Sequence, residues 1–199
     1  MNDAPHERPV TLSLRARGPW AYFPDAAMSP CSLPWPEPAA CRALVESVLW
    51  KPRIRWIVRE LHLLSPLRYA RRPCPEDAPP LGLVAGQPLL ALQDVDYRVV
   101  VDLHLNAEVP RRDVADNHGK YAAMFQRRLE KDRGHHAAFF GLRAFQAELL
   151  PDEGAPPAVP VDIHWGWMRG DWGDGAITAR GEGGEGIGHS TPCLRERDG

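Results

Sequence analysis

The placement of proline limits what this chain can fold into more than any other feature of its sequence. Ser29 to Pro38 alone holds four prolines (Pro30, Pro34, Pro36 and Pro38). Proline removes a backbone donor and clashes with the preceding turn, so no long regular element runs there. Ala39 to Leu49 is free of glycine and proline and rich in good helix formers, which predicts a helix that stops before Pro52. Pro73 to Pro88 is again proline, glycine and acid, a loop long enough to be functional or mobile.

Between these breaks the periodicity is informative. Val10-Thr-Leu-Ser-Leu-Arg-Ala-Arg17 alternates apolar and polar residues and reads as a half-buried strand closed by Gly18-Pro19. Arg55 to Leu63 mixes β-branched and apolar residues with charge and favours a strand, with a helix as the alternative. Asp96 to Leu105 is the clearest strand, and Phe139 to Leu149 reads as another. Lys120 to Lys131 is the clearest later helix, with Ala122, Ala123, Phe125 and Leu129 available for a buried face. The order β-α-β-β-α-β predicts an α+β fold on the ferredoxin-like, split βαβ plan, on which many RNA-recognition modules are built. After Pro151 the chain turns glycine-rich, and its last twenty or so residues are expected to be disordered. The run Gly181 to Gly188 is no phosphate cradle, because the lysine and following helix of a P-loop are missing.

With 199 residues the chain is long enough for one large domain with a sizeable core. Cys31, Cys41, Cys74 and Cys193 form no CxxC pair and no zinc-type spacing, so neither a disulfide framework nor a metal site is expected, and a reducing cytoplasm fits best. No apolar run reaches membrane-spanning length, and Met1 to Pro9 is too polar for a signal peptide. The formal charge of -2 hides a strong asymmetry. Arg42 to Arg72 carries eight Lys/Arg against two Glu, whereas Pro151 to Gly199 carries nine Asp/Glu against four Arg.

Two constellations bear chemistry. In Leu49-Trp50-Lys51-Pro52-Arg53-Ile54-Arg55-Trp56, three cations interleave with two indoles, the means by which bases are stacked and phosphates held. The same composition also fits two core tryptophans beneath a solvated charged face. In Asp116-Asn117-His118-Gly119-Lys120-Tyr121, followed by Gln126-Arg127-Arg128, a turn leads into a helix whose start can bind anions. Lys120 can stabilise a phosphorane-like transition state there, and His118 or Tyr121 can move a proton. The plain alternative has Asn117 capping the helix, Lys120 on the surface and the Tyr121 ring packed inward. His135-His136 lacks a third ligand at a characteristic spacing, and no GxSxG, HExxH or paired-carboxylate motif occurs.

Taken together, ordered stretches of the chain resemble the subtype I-C CRISPR-associated Cas-five proteins of the RAMP superfamily. Gly18-Pro-Trp-Ala-Tyr-Phe23 resembles the family's GDYAxF and Pro36 to Arg42 its PTPSAAR. Glu46-Ser-Val-Leu-Trp-Lys-Pro-Arg-Ile-Arg-Trp56 resembles its EAIYWKPxIxW signature, the most specific match. The likeness continues through Leu63 to Arg68, Arg71-Arg72, Asp94 to Tyr97, Asp116 to Lys120, Met124 to Arg128, and Gly141 to Phe145 in place of LGCREF.

The resemblance implies a ferredoxin-like, RRM-type RNA-binding domain over residues 1–150, a shortened β-type C-terminal part over 151–178, and a tail over 179–199. It also implies metal-independent cutting of precursor crRNA by the RNA's own 2′-hydroxyl, with no cofactor and no membrane. Its implied partners are crRNA, precursor crRNA and the backbone and large subunits of the Cascade complex. The family's cleaving positions fall on Leu49, Lys120 and Tyr121, of which Lys120 alone is unchanged. Leucine moves no proton, and a phenol is a poorer base than imidazole at neutral pH, so His118 stands as the nearby replacement. Two expectations follow: an endoribonuclease using Lys120 with Tyr121 or His118, or a binding subunit that has lost that chemistry. Both grip RNA through Trp50, Lys51, Arg53, Arg55, Arg71, Arg72, Arg127 and Arg128. A general RNA-binding or interaction domain, with the motif matches arising by chance, is the third reading.

Overall fold

A computed structural model describes residues 9–24, 29–77, 83–110, 116–153 and 159. They form an α+β fold with one antiparallel sheet and two helices, in the order β1 (Val10–Ala21), α1 (Pro38–Val48), β2 (Ile54–Leu63), β3 (Tyr69–Pro73), β4 (Pro88–Leu105), α2 (His118–Glu130) and β5 (Glu148–Pro151). The sheet order is β2-β4-β1-β5, with β3 also pairing β4. Each helix therefore links two strands that flank a third: β1-α1-β2 straddles β4, and β4-α2-β5 straddles β1.

β4 is the spine of the sheet. Its last stretch pairs β2, from Leu105 opposite Ile54 to Tyr97 opposite Leu63. Its first stretch pairs β3, from Leu92 opposite Tyr69 to Pro88 opposite Pro73. β2 and β3 are thus successive halves of one interrupted edge. β4 changes partner around Asp94, which sits at φ 53, a left-handed conformation that aspartate tolerates better than most residues.

One face of the sheet is apolar. Leu12, Leu14 and Ala16 lie opposite Val101, Val99 and Tyr97, and Trp56 lies opposite Leu103; all are buried and join residues from both helices in a single core. In α2 the inward stripe is His118, Tyr121, Ala122, Phe125 and Leu129, whereas Ala123, expected on it, is exposed. A smaller cluster of Tyr22, Cys74, Leu89, Ala91, Leu142 and Phe145 fills the β3 end. Burial pushes the Cys41 thiol up to about 12, which keeps it from acting as a nucleophile.

Two expectations are corrected. β1 is not closed by Gly18-Pro19 but runs on to Ala21, with Gly18 opposite Val95 and Trp20 opposite Gln93. Phe139 to Leu149 is not one strand: Phe140 and Phe145 turn inward around a tight turn in which Phe140 N–H donates to the Phe145 carbonyl at 2.7 Å, and only Glu148–Pro151 is strand. Tyr69–Pro73, to which the sequence pattern assigns no element, is β3. His135 and His136 lie in the connection after α2, where both backbone N–H groups donate to the Ser47 carbonyl. The C-terminal parts expected over 151–178 and 179–199 lie, apart from 151–153 and 159, outside the described residues. No helix of the described residues is long and apolar enough to cross a membrane.

Candidate functional site

The turn from α1 into β2 and the start of α2 meet at one end of the sheet. α1 ends at Leu49, whose side chain is fully buried and whose carbonyl accepts from the Trp56 indole at 2.9 Å. Of the two indoles predicted to stack bases, Trp56 is core, with its ring 5.0 Å from Phe125, while Trp50 is 50% exposed. Lys51 and Arg55 are exposed beside it.

Arg53, expected to face RNA, turns inward. Its guanidinium donates to the carbonyls of Asn106 and Val109 and lies 3.3 Å from the buried carboxylate of Asp116, fixing the connection that leads into α2. The same carboxylate accepts from the Tyr121 hydroxyl at 2.5 Å. Asn117 caps the helix by accepting from the Lys120 N–H at 2.9 Å. Lys120 itself is exposed, its ammonium 5.9 Å from the centre of the Tyr121 ring, and His118 is buried at the first helical position. α2 carries no acidic residue in its first turn; the nearest carboxylate, Asp116, precedes the Asn117 cap.

Asp116 is therefore the keystone of this end. Asp116→Asn keeps an acceptor for Tyr121 but removes the charge opposite Arg53. It is expected to lower stability by about 1–3 kcal/mol, read as a shifted urea midpoint.

The remaining predicted residues lie elsewhere. Arg127 and Arg128 occupy the last turn of α2; Arg127 is exposed, while Arg128 donates to the Val48 carbonyl at 3.1 Å and so ties the end of α1. Arg71 and Arg72 sit on β3, opposite Leu90 and Leu89, most of the length of β4 away from the Trp50 end. Both are exposed, and the Arg72 guanidinium stacks on Trp20 at 4.4 Å. Sequence reasoning missed Trp20 as a stacking partner, because its position only two residues after Gly18 was read as the end of the strand.

The sheet's other face is polar and charge-neutralised. Arg15 pairs with Asp96 at 2.5 Å, Arg59 with Asp102 at 2.5 Å, Arg98 with Asp152 at 2.6 Å and Arg17 with Glu148 at 2.6 Å. The Arg17 interaction holds the Glu148 carboxyl below its ordinary value, through the hydrogen bond first. No residue that the register assigns to this face carries a phenyl, phenol or indole ring; among the described residues Trp50 and Phe139 are the exposed large aromatic side chains, and the partly buried Trp20 offers its ring to Arg72. His104, opposite Arg55 on this face, was also overlooked, although the alternation of Val99, Val101 and Leu103 places it there together with Asp102.

No family model matches the chain. A CRISPR pre-crRNA endoribonuclease, Cas5d, from Thermus thermophilus is 31% identical over 170 residues, covering 80% of this chain and 72% of that protein. Among solved structures, a CRISPR-associated protein superposes with a TM-score of 0.55 at 21% identity, over 71% of this chain and 66% of that one, just under two thirds of its length. A functionally uncharacterized protein from Streptococcus mutans superposes with a TM-score of 0.58 at 20% identity, over 77% of this chain and 74% of that one. These two likenesses bear on the fold alone.

Proposed function

The chain belongs to the Cas5 family of CRISPR-associated proteins, and from that membership we propose that it is a subtype I-C Cascade subunit that binds the crRNA repeat and its 5′ handle. The sheet order β2-β4-β1-β5 supports reading residues 1–150 as a ferredoxin-like, RRM-type domain. Its RNA contacts come from the basic and aromatic surface at the two ends of β4: Trp50, Lys51, Arg55 and Lys120 at one, Arg71 and Arg72 with Trp20 at the other. Arg127 adds charge along α2. Arg53 and Arg128 serve the scaffold that holds these groups. The backbone and large subunits of the complex are its protein partners.

One observation carries the choice of binding over the family's cleavage set. At the three positions where the resemblance puts that chemistry, the Leu49 side chain is buried in the core and the Tyr121 hydroxyl is donated inward to Asp116. Lys120 alone is presented outward. A lone ammonium can stabilise charge on a phosphorane but leaves the attacking 2′-hydroxyl without a base.

The test is to mix purified protein with end-labelled CRISPR repeat RNA in EDTA and run native and denaturing gels in parallel. A retarded band is expected from the natural protein, with Lys120→Ala weakening retardation only about two- to fivefold, the loss of one surface contact. Absence of retardation at micromolar protein would refute the binding reading.

A further inference from the structure

Four arginines of the polar sheet face are each matched by a carboxylate: Arg15 by Asp96, Arg17 by Glu148, Arg59 by Asp102 and Arg98 by Asp152. The open sheet face is the surface with which RRM-type modules meet RNA, and guanidinium groups are the usual holders of phosphate. Here those groups already hold carboxylates. Asp96 and Asp102 are buried on the β4 spine, and Glu148 stands in an exposed pair on β5.

Asp152 is placed differently. It follows Pro151, the last residue of β5, and reaches inward over β1 to β4. Its carboxylate accepts from the Ser13 hydroxyl at 3.0 Å, and both its oxygens accept from Arg98 Nε, at 2.6 and 2.8 Å. Arg15, hydrogen-bonded to Asp96, also lies within the field of Asp152. The next described residue, Val159, is held at the opposite edge of the sheet, where its N–H donates to the Leu63 carbonyl of β2 at 2.7 Å. The Arg98 and Asp152 side chains are 22% and 21% exposed, so the position between them and Ser13 is within reach of a ligand from solvent. A hydroxyl and a guanidinium on adjacent strands would serve a phosphate oxygen as they serve this carboxylate.

We infer that Asp152 is a specificity-determining residue that acts by exclusion: its carboxylate occupies the place a nucleic-acid phosphate would take between Ser13 and Arg98, and so keeps RNA off the sheet face. The inference rests on the RNA-binding reading above and gives the sheet face the opposite role from the two ends of β4. Lys51, Arg55, Arg71 and Arg72 are exposed there and make no ion pair among the described residues. On the face, a phosphate approaching Arg98 meets a negative charge already in place. Backbone contacts that any RNA could make are thereby suppressed, and discrimination gains the repulsive element that attraction alone does not supply.

The experiment measures binding of labelled oligouridylate and of labelled CRISPR repeat RNA by fluorescence anisotropy over a salt series. It compares the full natural chain with Asp152→Asn and with an Asp152→Asn, Arg98→Ala double variant, and records a thermal melt of each. Asparagine keeps an oxygen for Ser13 and Arg98 while removing the charge. Asp152→Asn is expected to bind oligouridylate about three- to tenfold more tightly than the natural protein, with the slope of log affinity against log salt steeper by about 1. The advantage of the repeat over oligouridylate shrinks, and the double variant loses the gain. Oligouridylate affinity and slope unchanged in Asp152→Asn, with or without a lowered melting temperature, would make Asp152 a structural partner of Arg98 and overturn the inference. A gain that persists without Arg98 overturns it too; both outcomes leave the RNA-binding reading standing. Should the natural protein bind neither RNA at micromolar concentration, that reading falls and takes the inference with it.

Discussion

Gly141→Ala is expected to leave little or no folded protein at 37 °C. Gly141 lies at φ +79, and a β-carbon built there falls 1.7 Å from the Tyr22 carbonyl oxygen and 2.9 Å from its carbon. Both obstacles are backbone, and Tyr22 is fixed by its own N–H donating to the Phe140 carbonyl at 3.2 Å, so neither can swing aside as a side chain would. Relief requires opening the Phe140 to Phe145 turn, which withdraws two buried phenylalanines and Leu142 from the cores at the end of β1. A loss of about 4–5 kcal/mol or more is expected, comparable with the whole stability of many domains. Gly86→Ala separates the two contributions: Gly86 is at φ +77 with nothing within 4 Å, so only the conformational cost of about 1–2 kcal/mol applies. Thermal melts of the two variants check this; similar melting temperatures would contradict the clash.

Removing Arg71 and Arg72 together is expected to weaken repeat-RNA binding by about 10–100-fold and to lower the slope of log affinity against log salt by about 2. Both guanidinium groups are exposed and make no ion pair among the described residues, and Arg72 is held in place on the Trp20 ring. Their charge is therefore available to phosphates. Arg15 and Arg98 provide the contrast: each is engaged by an aspartate on the sheet's polar face, so alanine there should change affinity little while costing some stability. Fluorescence anisotropy over a salt series measures both quantities. An unchanged slope for the Arg71, Arg72 double variant would remove β3 from the interface.

Sequence pattern made β1, β2, β4 and both helices legible, because alternation and the inward stripe of α2 report burial directly. Breaks were harder. Gly18-Pro19 reads as a terminator, but β1 continues through it in register with β4, since a strand tolerates proline where its missing donor is not needed. Phe139 to Leu149 has a strand's composition, yet Gly141 in a left-handed conformation folds its front half into a hydrophobic plug. At the site, the direction of Arg53 was not legible, because its three acceptors come from the β4-α2 connection and only the fold brings them together. The direction of Tyr121 was legible: it shares the stripe of Phe125 and Leu129, one and two turns further along α2.

The most direct test of the RNA-binding assignment is the affinity of the natural protein for labelled CRISPR repeat RNA in EDTA, measured across a salt series against an unrelated RNA of equal length and composition. Preferential binding of the repeat, weakening steeply as salt rises, is the result predicted by an exposed basic and aromatic surface at both ends of β4. Equal, salt-insensitive or undetectable binding of the two RNAs would contradict it.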